Sequence, residues 1–301
     1  MEESDWTVLM SKIQDGECTP FLGAGINYGI LPLGAQLARD WAAEYSYPLN
    51  DCDDLARVAQ YVAVKYKDAK FPKGQLLKRL RSIPVPDFAS NDRGLEGIKA
   101  IAELPFAFYL TTNYDNLLME ALKFWRKAPR RELCRWNSLL RKYPSVLEGK
   151  EGFSPSVANP VVFHLHGHDE VVESLVLTED DYLDFLVNAS RNMQKVLPPR
   201  IQEAISNSLL FIGYKLRDIN FRVLFRGLVQ SMEVGQRSLS VAVQISPPDD
   251  NVGDPDAARE YLNKYFGSSN IQIFWGTAEE FTRELRNRWR AFRGTAASVG
   301  V

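Results

Sequence analysis

Residues 18–27 read Cys-Thr-Pro-Phe-Leu-Gly-Ala-Gly-Ile-Asn, a short apolar run that stops at a glycine turn. The run Cys18 to Leu22 reads as a buried strand. Glycines at 23 and 25 let a backbone approach an anion closely, and a helix starting just beyond would aim N–H groups at it. A tight strand-to-helix turn with no ligand uses the same residue types. Two nucleotide patterns are excluded. The dehydrogenase fingerprint wants Gly or Ala three residues after the second glycine, where this chain has Tyr28, and it wants another strand soon afterwards, where this chain reads helical. No Gly-Lys-Ser/Thr follows, so the P-loop pattern fails as well.

Outward from this turn, six more apolar runs read as strands: Phe106 to Thr112, Val161 to Leu165, Leu175 to Thr178, Leu209 to Gly213, Leu239 to Ile245 and Ile271 to Trp275. Most are continuously apolar rather than alternating, the pattern of strands covered on both faces. Helical stripes lie between them: Leu37, Trp41 and Tyr45; Leu55, Val58, Ala59 and Val62; Phe221, Leu224, Phe225 and Leu228; Phe281, Leu285, Trp289 and Phe292. The alternation predicts an α/β fold, a Rossmann-like doubly wound parallel sheet with a smaller helical lobe. Residues 35–104 and 120–159 break the alternation and are expected to be helical insertions packed together as that lobe. The whole of 1–294 is expected to be one domain, with its core at about 16–34, 105–119 and 160–293. Residues 295–301, small and polar, are expected to be a flexible tail.

Three further stretches put polar residues at strand ends, where open α/β sheets bind ligands. Thr111-Thr112-Asn113-Tyr114-Asp115 follows the run that starts at Phe106. Asn113 or Asp115 could equally cap the helix that continues through Leu118 and Leu122. Phe163-His164-Leu165-His166-Gly167-His168-Asp169 holds all three histidines of the chain. Alternation sends His164 and His166 to one side. A metal site is the rival reading, but no cysteine and no carboxylate pair at ligand spacing accompanies the cluster. With Gly167 giving close backbone access, a base titrating near neutral pH is the sharper reading. Phe211-Ile212-Gly213-Tyr214-Lys215-Leu216-Arg217-Asp218 repeats the plan of strand, glycine and polar helix start. Gly213 and Tyr214 suit close approach to a ribose or phosphate, and Asp218 suits the first turn of a helix.

Composition sets outer limits. The 301 residues carry a formal charge of -2, so there is no global attraction to nucleic acid or anionic membrane. Cys18, Cys52 and Cys134 are too few and too far apart for a disulfide framework and fit a reducing compartment. The acidic start Met-Glu-Glu-Ser-Asp-Trp is unlike a signal peptide. No apolar run approaches the roughly 18 residues of a membrane span. The cytoplasm is the expected location.

In order, these segments resemble the sirtuin family, and more closely its sirtuin-like, NAD-hydrolysing branch found in bacterial antiphage defence proteins. The resemblance is carried by Gly23-Ala24-Gly25, Thr111 to Asp115, Leu165-His166-Gly167, Leu177-Thr178-Glu179-Asp180-Asp181-Tyr182, Phe211 to Tyr214 with Asp218 and Phe221-Arg222, and Trp275 to Phe281. It implies NAD as substrate, bound in a cleft between a Rossmann-like lobe and a helical lobe. Asn113 and His166 map to the family's catalytic pair. Gly23, Ala24, Gly25, Ile26 and Asn27 would hold phosphates, with Thr112 beside them. Asp115 would line the nicotinamide pocket, and Gly213 and Tyr214 would approach the ribose. Gln244, Thr277 and Ala278 would lie near the adenosine. Deacylating sirtuins carry a four-cysteine zinc module that this chain lacks, so no metal is expected and hydrolysis of NAD is favoured over removal of acyl groups from lysine. His164 and His168 stand where relatives commonly have Lys and Asp.

An NAD-destroying enzyme must be held quiet, so regulation by assembly or by a partner is expected: a homo-oligomer, and a protein such as a HerA-type motor ATPase or a short Argonaute. Nucleic acid would then act only indirectly, and no membrane is involved. The arginines 283, 286, 288, 290 and 293 read either as a solvated face paired with Glu279, Glu280 and Glu284 or as a contact surface. The competing functions are a non-catalytic module binding NAD or ADP-ribose, a protein deacylase, and a nuclease acting with its partner.

Overall fold

The computed structural model describes residues 1–90, 92–148, 153–191, 196–215, 239–244 and 254–299. Seven strands form one sheet: β1 (Cys18–Leu22), β2 (Phe108–Thr111), β3 (Arg130–Leu133), β4 (Val161–His164), β5 (Ser208–Ile212), β6 (Ser240–Gln244) and β7 (Ile271–Trp275). Their spatial order is β3-β4-β2-β1-β5-β6-β7, and every neighbouring pair is parallel. The chain moves from β1 to β2 on one side and later to β5 on the other. The carboxyl ends of β1 and β5 therefore flank the point where strand order reverses, the place where such sheets open a crevice. Pro20 sits in this central strand, although proline has no N–H for a ladder. The ladder from β1 to β2 begins only at Phe21, one residue beyond it.

Helices cover both faces, as the continuously apolar strands require. On one face, α1 (Glu3–Gln14), α5 (Glu96–Glu103), α6 (Leu117–Phe124) and α10 (Ala278–Val299) bury Trp6, Leu9, Ile98, Ile101, Leu118, Leu122, Phe281 and Leu285 against Leu22, Leu210 and Val241. On the other, α7 (Glu179–Arg191), α8 (Pro199–Ser206) and α9 (Pro255–Gly267) bring Phe185, Ile201, Ile205, Leu262 and Phe266 onto Phe21, Phe163, Phe211 and Ile273. A third apolar cluster joins α2 (Gly34–Glu44), α3 (Leu55–Tyr66) and α4 (Phe71–Arg81) through Leu37, Trp41, Val58, Val62, Leu76 and Leu77. It closes on Leu175 and Leu177, the segment that follows the histidines.

The helices expected in 35–104 are present, but α5 serves the sheet rather than the separate cluster. The helical reading of 120–159 is corrected. Beyond α6 this stretch supplies the edge strand β3. Its Arg-Arg-Glu-Leu sequence is too polar to read as a covered strand, and Glu132 is buried only because Arg135, Ser145 and the Val146 N–H bond its carboxylate. Leu175 to Thr178, expected as a strand, is buried but unpaired in any sheet. Its backbone is satisfied piecemeal: Val176 N–H donates to the His166 carbonyl, the Val176 carbonyl accepts from Tyr114, and the Leu177 and Thr178 N–H groups donate to Asp181. Apolar run length cannot separate such a covered loop from a strand. The last helix continues through Val299, into the segment expected as a tail. The stripe from Phe221 to Leu228, together with Asp218 and Ile245, lies outside the described residues.

Candidate functional site

The glycine turn is built against the end of β5. Gly23 continues the ladder by donating to the Ile212 carbonyl (2.8 Å), and the Gly25 N–H donates to the Gly213 carbonyl (3.0 Å). A short 3-10 turn, Ala24–Asn27, follows, and in it the Ile26 N–H donates to Gly23 (3.2 Å). Gly213 has φ +85°, and a Cβ there would stand 2.6 Å from the Gly23 oxygen and the Ile26 nitrogen. A Cβ on Gly23 would stand 2.9 Å from the Tyr214 ring. Close approach of two chain segments therefore requires these glycines, whatever else binds there. The expectation of a full N–H cradle is narrowed accordingly. Among the described residues, the N–H groups of Gly23, Gly25 and Ile26 are taken by carbonyls, while exposed Ala24 keeps its own.

The end of β2 reaches the same loop. The Thr112 N–H and the Thr111 hydroxyl both donate to the Leu22 carbonyl (3.1 and 3.0 Å). Tyr214 also donates to Leu22, so its single proton is spent and the Thr112 hydroxyl donates to the Tyr214 oxygen at 3.0 Å. Asn113 is held three ways. Its N–H donates to Thr111 Oγ1 (3.0 Å), its side-chain amide donates to the Gly23 carbonyl (3.2 Å), and its carbonyl faces His164 Nδ1 (3.1 Å). Capping falls to Asp115 instead: Oδ1 accepts from the Leu117 N–H at the start of α6, and Oδ2 accepts from the Asn27 amide at 3.0 Å. Burial, reinforced by the charge of Asp169, pushes the Asp115 carboxyl up to about 6. Asn27 is itself buried, and its Oδ1 has no partner among the described residues. A free acceptor and the Ala24 donor thus remain for a polar ligand beside Asn113.

His164 ends β4 in register with Thr111, and His166 lies in the turn two residues beyond, so strand alternation does not extend to it. Both rings are buried and both Nε2 atoms lack a partner among the described residues. The His166 ring meets Tyr182 and Phe185 edge-on, at 5.2 and 5.4 Å between centroids. Burial pushes His166 down to about 3. That lies below the neutral range expected for this base, and its cause is burial. Gly167 is also reinterpreted. It has φ +82°, and a Cβ would stand 2.3 Å from the Ser174 carbonyl, so it serves the turn onto the 172–177 segment. His168 Nδ1 accepts from the Glu170 N–H (3.3 Å) beside Arg131, which is paired with Asp169 at 3.1 Å and Glu170 at 2.9 Å and also bonded to Asn116.

At the far strand ends, Thr277 donates through its N–H and hydroxyl to Glu280 (2.7 and 3.0 Å) and accepts from the Glu280 N–H. This reciprocal cap opens α10 at Ala278. Gln244 ends β6, and its side chain lies outside the described residues. Four of the five arginines are paired: Arg283 with Glu279, Arg286 with Glu96, Arg288 with Glu3 and Glu284, and Arg290 with Glu103. The cysteines are unpaired and, among the described residues, no three His, Cys, Asp or Glu side chains gather as metal ligands. Nor is any helix there long and apolar enough to cross a membrane.

Two residues at the site escaped the reading of the sequence as individuals. Tyr182 was visible only inside the Leu177–Tyr182 stretch, and α7 turns its ring onto His166. Arg131 sits on the unpredicted strand β3, whose charged Arg-Arg-Glu-Leu sequence carries no strand signal that could have found it.

A family model described as SIR2-like domain matches residues 107–270, more than half of the chain, a span that includes Asn113, His166 and Gly213 but starts after the glycine turn. Three similar curated relatives carry the name NAD(+) hydrolase ThsA. That of Acinetobacter baumannii (strain 532279) is 21% identical over 295 residues, 94% of this chain and 55% of the relative. That of Bacillus cereus (strain MSX-D12) is 23% identical over 227 residues, 75% of this chain and 43% of the relative. That of Enterococcus faecium is 25% identical over 229 residues, 75% of this chain and 42% of the relative. The chain spans about half the length of these relatives.

Proposed function

Because the chain belongs to the SIR2-like domain family, we propose that it is an NAD hydrolase that splits the nicotinamide–ribose bond to give nicotinamide and ADP-ribose. The observation that carries this reading is the meeting of Asn113 with the glycine turn at the carboxyl ends of β1 and β2, beside the end of β4, from which the turn carrying His166 leads. The name of the relatives supports the chemistry.

In the proposed reaction the C1′–N bond breaks and its electron pair leaves with nicotinamide, which departs neutral. Water adds to the oxocarbenium-like ribose carbon and loses one proton. Asn113 turns its amide from the Gly23 carbonyl to orient that water or a ribose hydroxyl. His166, whose Nε2 has no other partner among the described residues, accepts a proton. The Ala24 N–H meets a phosphate oxygen, and Gly23, Gly25 and Ile26 shape the wall around it. Asp115 and Asn27 face the nicotinamide, Thr112, Gly213 and Tyr214 the ribose, and Gln244, Thr277 and Ala278 the adenosine. The absence of a four-cysteine module among Cys18, Cys52 and Cys134 favours water over an acyl-lysine as acceptor.

In the cell the protein would act in the cytoplasm as the NAD-depleting effector of an antiphage defence system, held silent until a homo-oligomer forms or a partner such as a HerA-type ATPase or short Argonaute arrives. The test is product analysis of NAD incubated with the purified chain, alone and with such a partner. Equal amounts of nicotinamide and ADP-ribose are expected. Tight binding of NAD with no nicotinamide would assign a non-catalytic module. Release only with an acylated peptide would assign a deacylase.

A further inference from the structure

His164 is 1% exposed, a position where an aliphatic side chain would bury more cheaply than an imidazole. Its Nδ1 lies 3.1 Å from the Asn113 carbonyl oxygen. A carbonyl can only accept, so the proton sits on Nδ1 and Nε2 presents a lone pair. That Nε2 is buried and has no partner among the described residues. A buried acceptor left unpaired destabilises the fold, so an imidazole here needs a reason beyond packing. The ring is fixed from the other side by His168, 5.2 Å away and inclined at 64°, and His168 is itself tied to the Glu170 N–H.

The geometry points to His164 as a positioning residue for the Asn113 peptide, acting through the backbone carbonyl rather than on substrate. This inference rests on the NAD-cleaving reading above. Asn113 has three anchors: Thr111 Oγ1 on its N–H, Gly23 on its side chain, and His164 on its carbonyl. When the side-chain amide turns from Gly23 toward a bound ribose or water, the second anchor is released. The peptide is then held by Thr111 and His164 alone. His164 sets the direction of the amide at the moment it is used, and it ties the strand end of Asn113 to the strand that leads to His166. A hydrogen bond to the backbone two residues from Thr111 leaves substrate affinity to other groups, so the effect belongs in kcat rather than KM.

The test uses three substitutions in the full chain. His164→Asn keeps a donor at the branch position of Nδ1, His164→Gln moves it to that of Nε2, and His164→Leu removes it. We expect His164→Leu and His164→Gln to lower kcat for nicotinamide release roughly 100-fold, the loss typical of a misplaced catalytic group, with KM nearly unchanged. His164→Asn should recover most of that loss. Equal loss in His164→Asn and His164→Leu, wild-type rates in His164→Leu, or an effect confined to KM would each overturn the positioning role. Long-range proton–nitrogen correlation of the imidazoles gives a readout free of turnover: His164 should be protonated on Nδ1, and an Nε2–H tautomer overturns the proposal by itself. A wild-type chain that shows the Nδ1–H tautomer but never releases nicotinamide overturns the functional reading, and with it the positioning role.

Discussion

The side-chain amide of Asn113 donates to the carbonyl oxygen of Gly23 across 3.2 Å, joining the end of β2 to the turn that ends β1. The two residues are far apart in sequence and come together because β1 and β2 are parallel neighbours ending at the same level. Gly23 in turn packs against Gly213 and Tyr214 from β5. Three strand ends are locked into one surface, and each can be tested through its own residue.

Gly213 is the tightest of these joints. Alanine there would combine a φ of +85° with contacts of 2.6 Å to Gly23 and Ile26. The strain alone costs about 1–3 kcal/mol, so Gly213→Ala should be clearly destabilised in urea unfolding. Gly74, exposed within α4 with nothing within 4 Å of an added methyl group, should behave oppositely. Gly74→Ala is expected to gain about 0.5–1 kcal/mol. A tolerated Gly213→Ala would contradict the packing account.

The buried histidines make stability depend on pH. His164 and His166 fall from 6.5 to about 3 on folding, through burial. Between those values the unfolded chain binds more protons than the native one, so stability falls as pH drops from 6.5 toward 3. Asp115 has the opposite sign: raised from 3.8 to about 6, it contributes stability present below 3.8 and lost as pH rises through 6. The melting temperature should therefore fall on acidification from pH 7 to 4.5, less so in His166→Phe and more so in Asp115→Asn. Parallel curves for the three proteins would remove this explanation.

Lys73 and Asp181 form a pair at 2.7 Å with side chains 8% and 13% exposed. The pair ties α4 to the segment that covers His166, because Asp181 also accepts from the Leu177 and Thr178 N–H groups. Lys73→Met leaves the carboxylate buried without its cation and should cost about 3–5 kcal/mol in chemical unfolding. A loss well under 1 kcal/mol would mean that the pair is solvated.

Much of the fold was legible because its signals are local. The runs at Cys18–Leu22 and Ile271–Trp275 became strands at the bounds expected, the first buried along its length and the second with Ile271 and Ile273 buried around exposed Gln272, each ending at a glycine. Arg130–Leu133 was not legible, because the burial of Glu132 depends on an ion pair with Arg135 and a hydrogen bond from Ser145, a tertiary event. Leu175–Thr178 misled because a loop covered by helices must be as apolar as a strand. At the candidate site the residues were legible but their states were not. The burial of His166 involves Tyr182 and Phe185 packing against its ring, and the need for glycine at 167 and 213 comes from Ser174 and Gly23, none of them sequence neighbours.

The most direct test is nicotinamide release from NAD by wild-type, Asn113→Ala and His166→Ala proteins under one activating condition. The account predicts that wild type yields nicotinamide and ADP-ribose in equal amounts, and that each variant, still folded and melting near wild type, is slowed by about 100- to 10,000-fold. Near-normal release by both variants would contradict it.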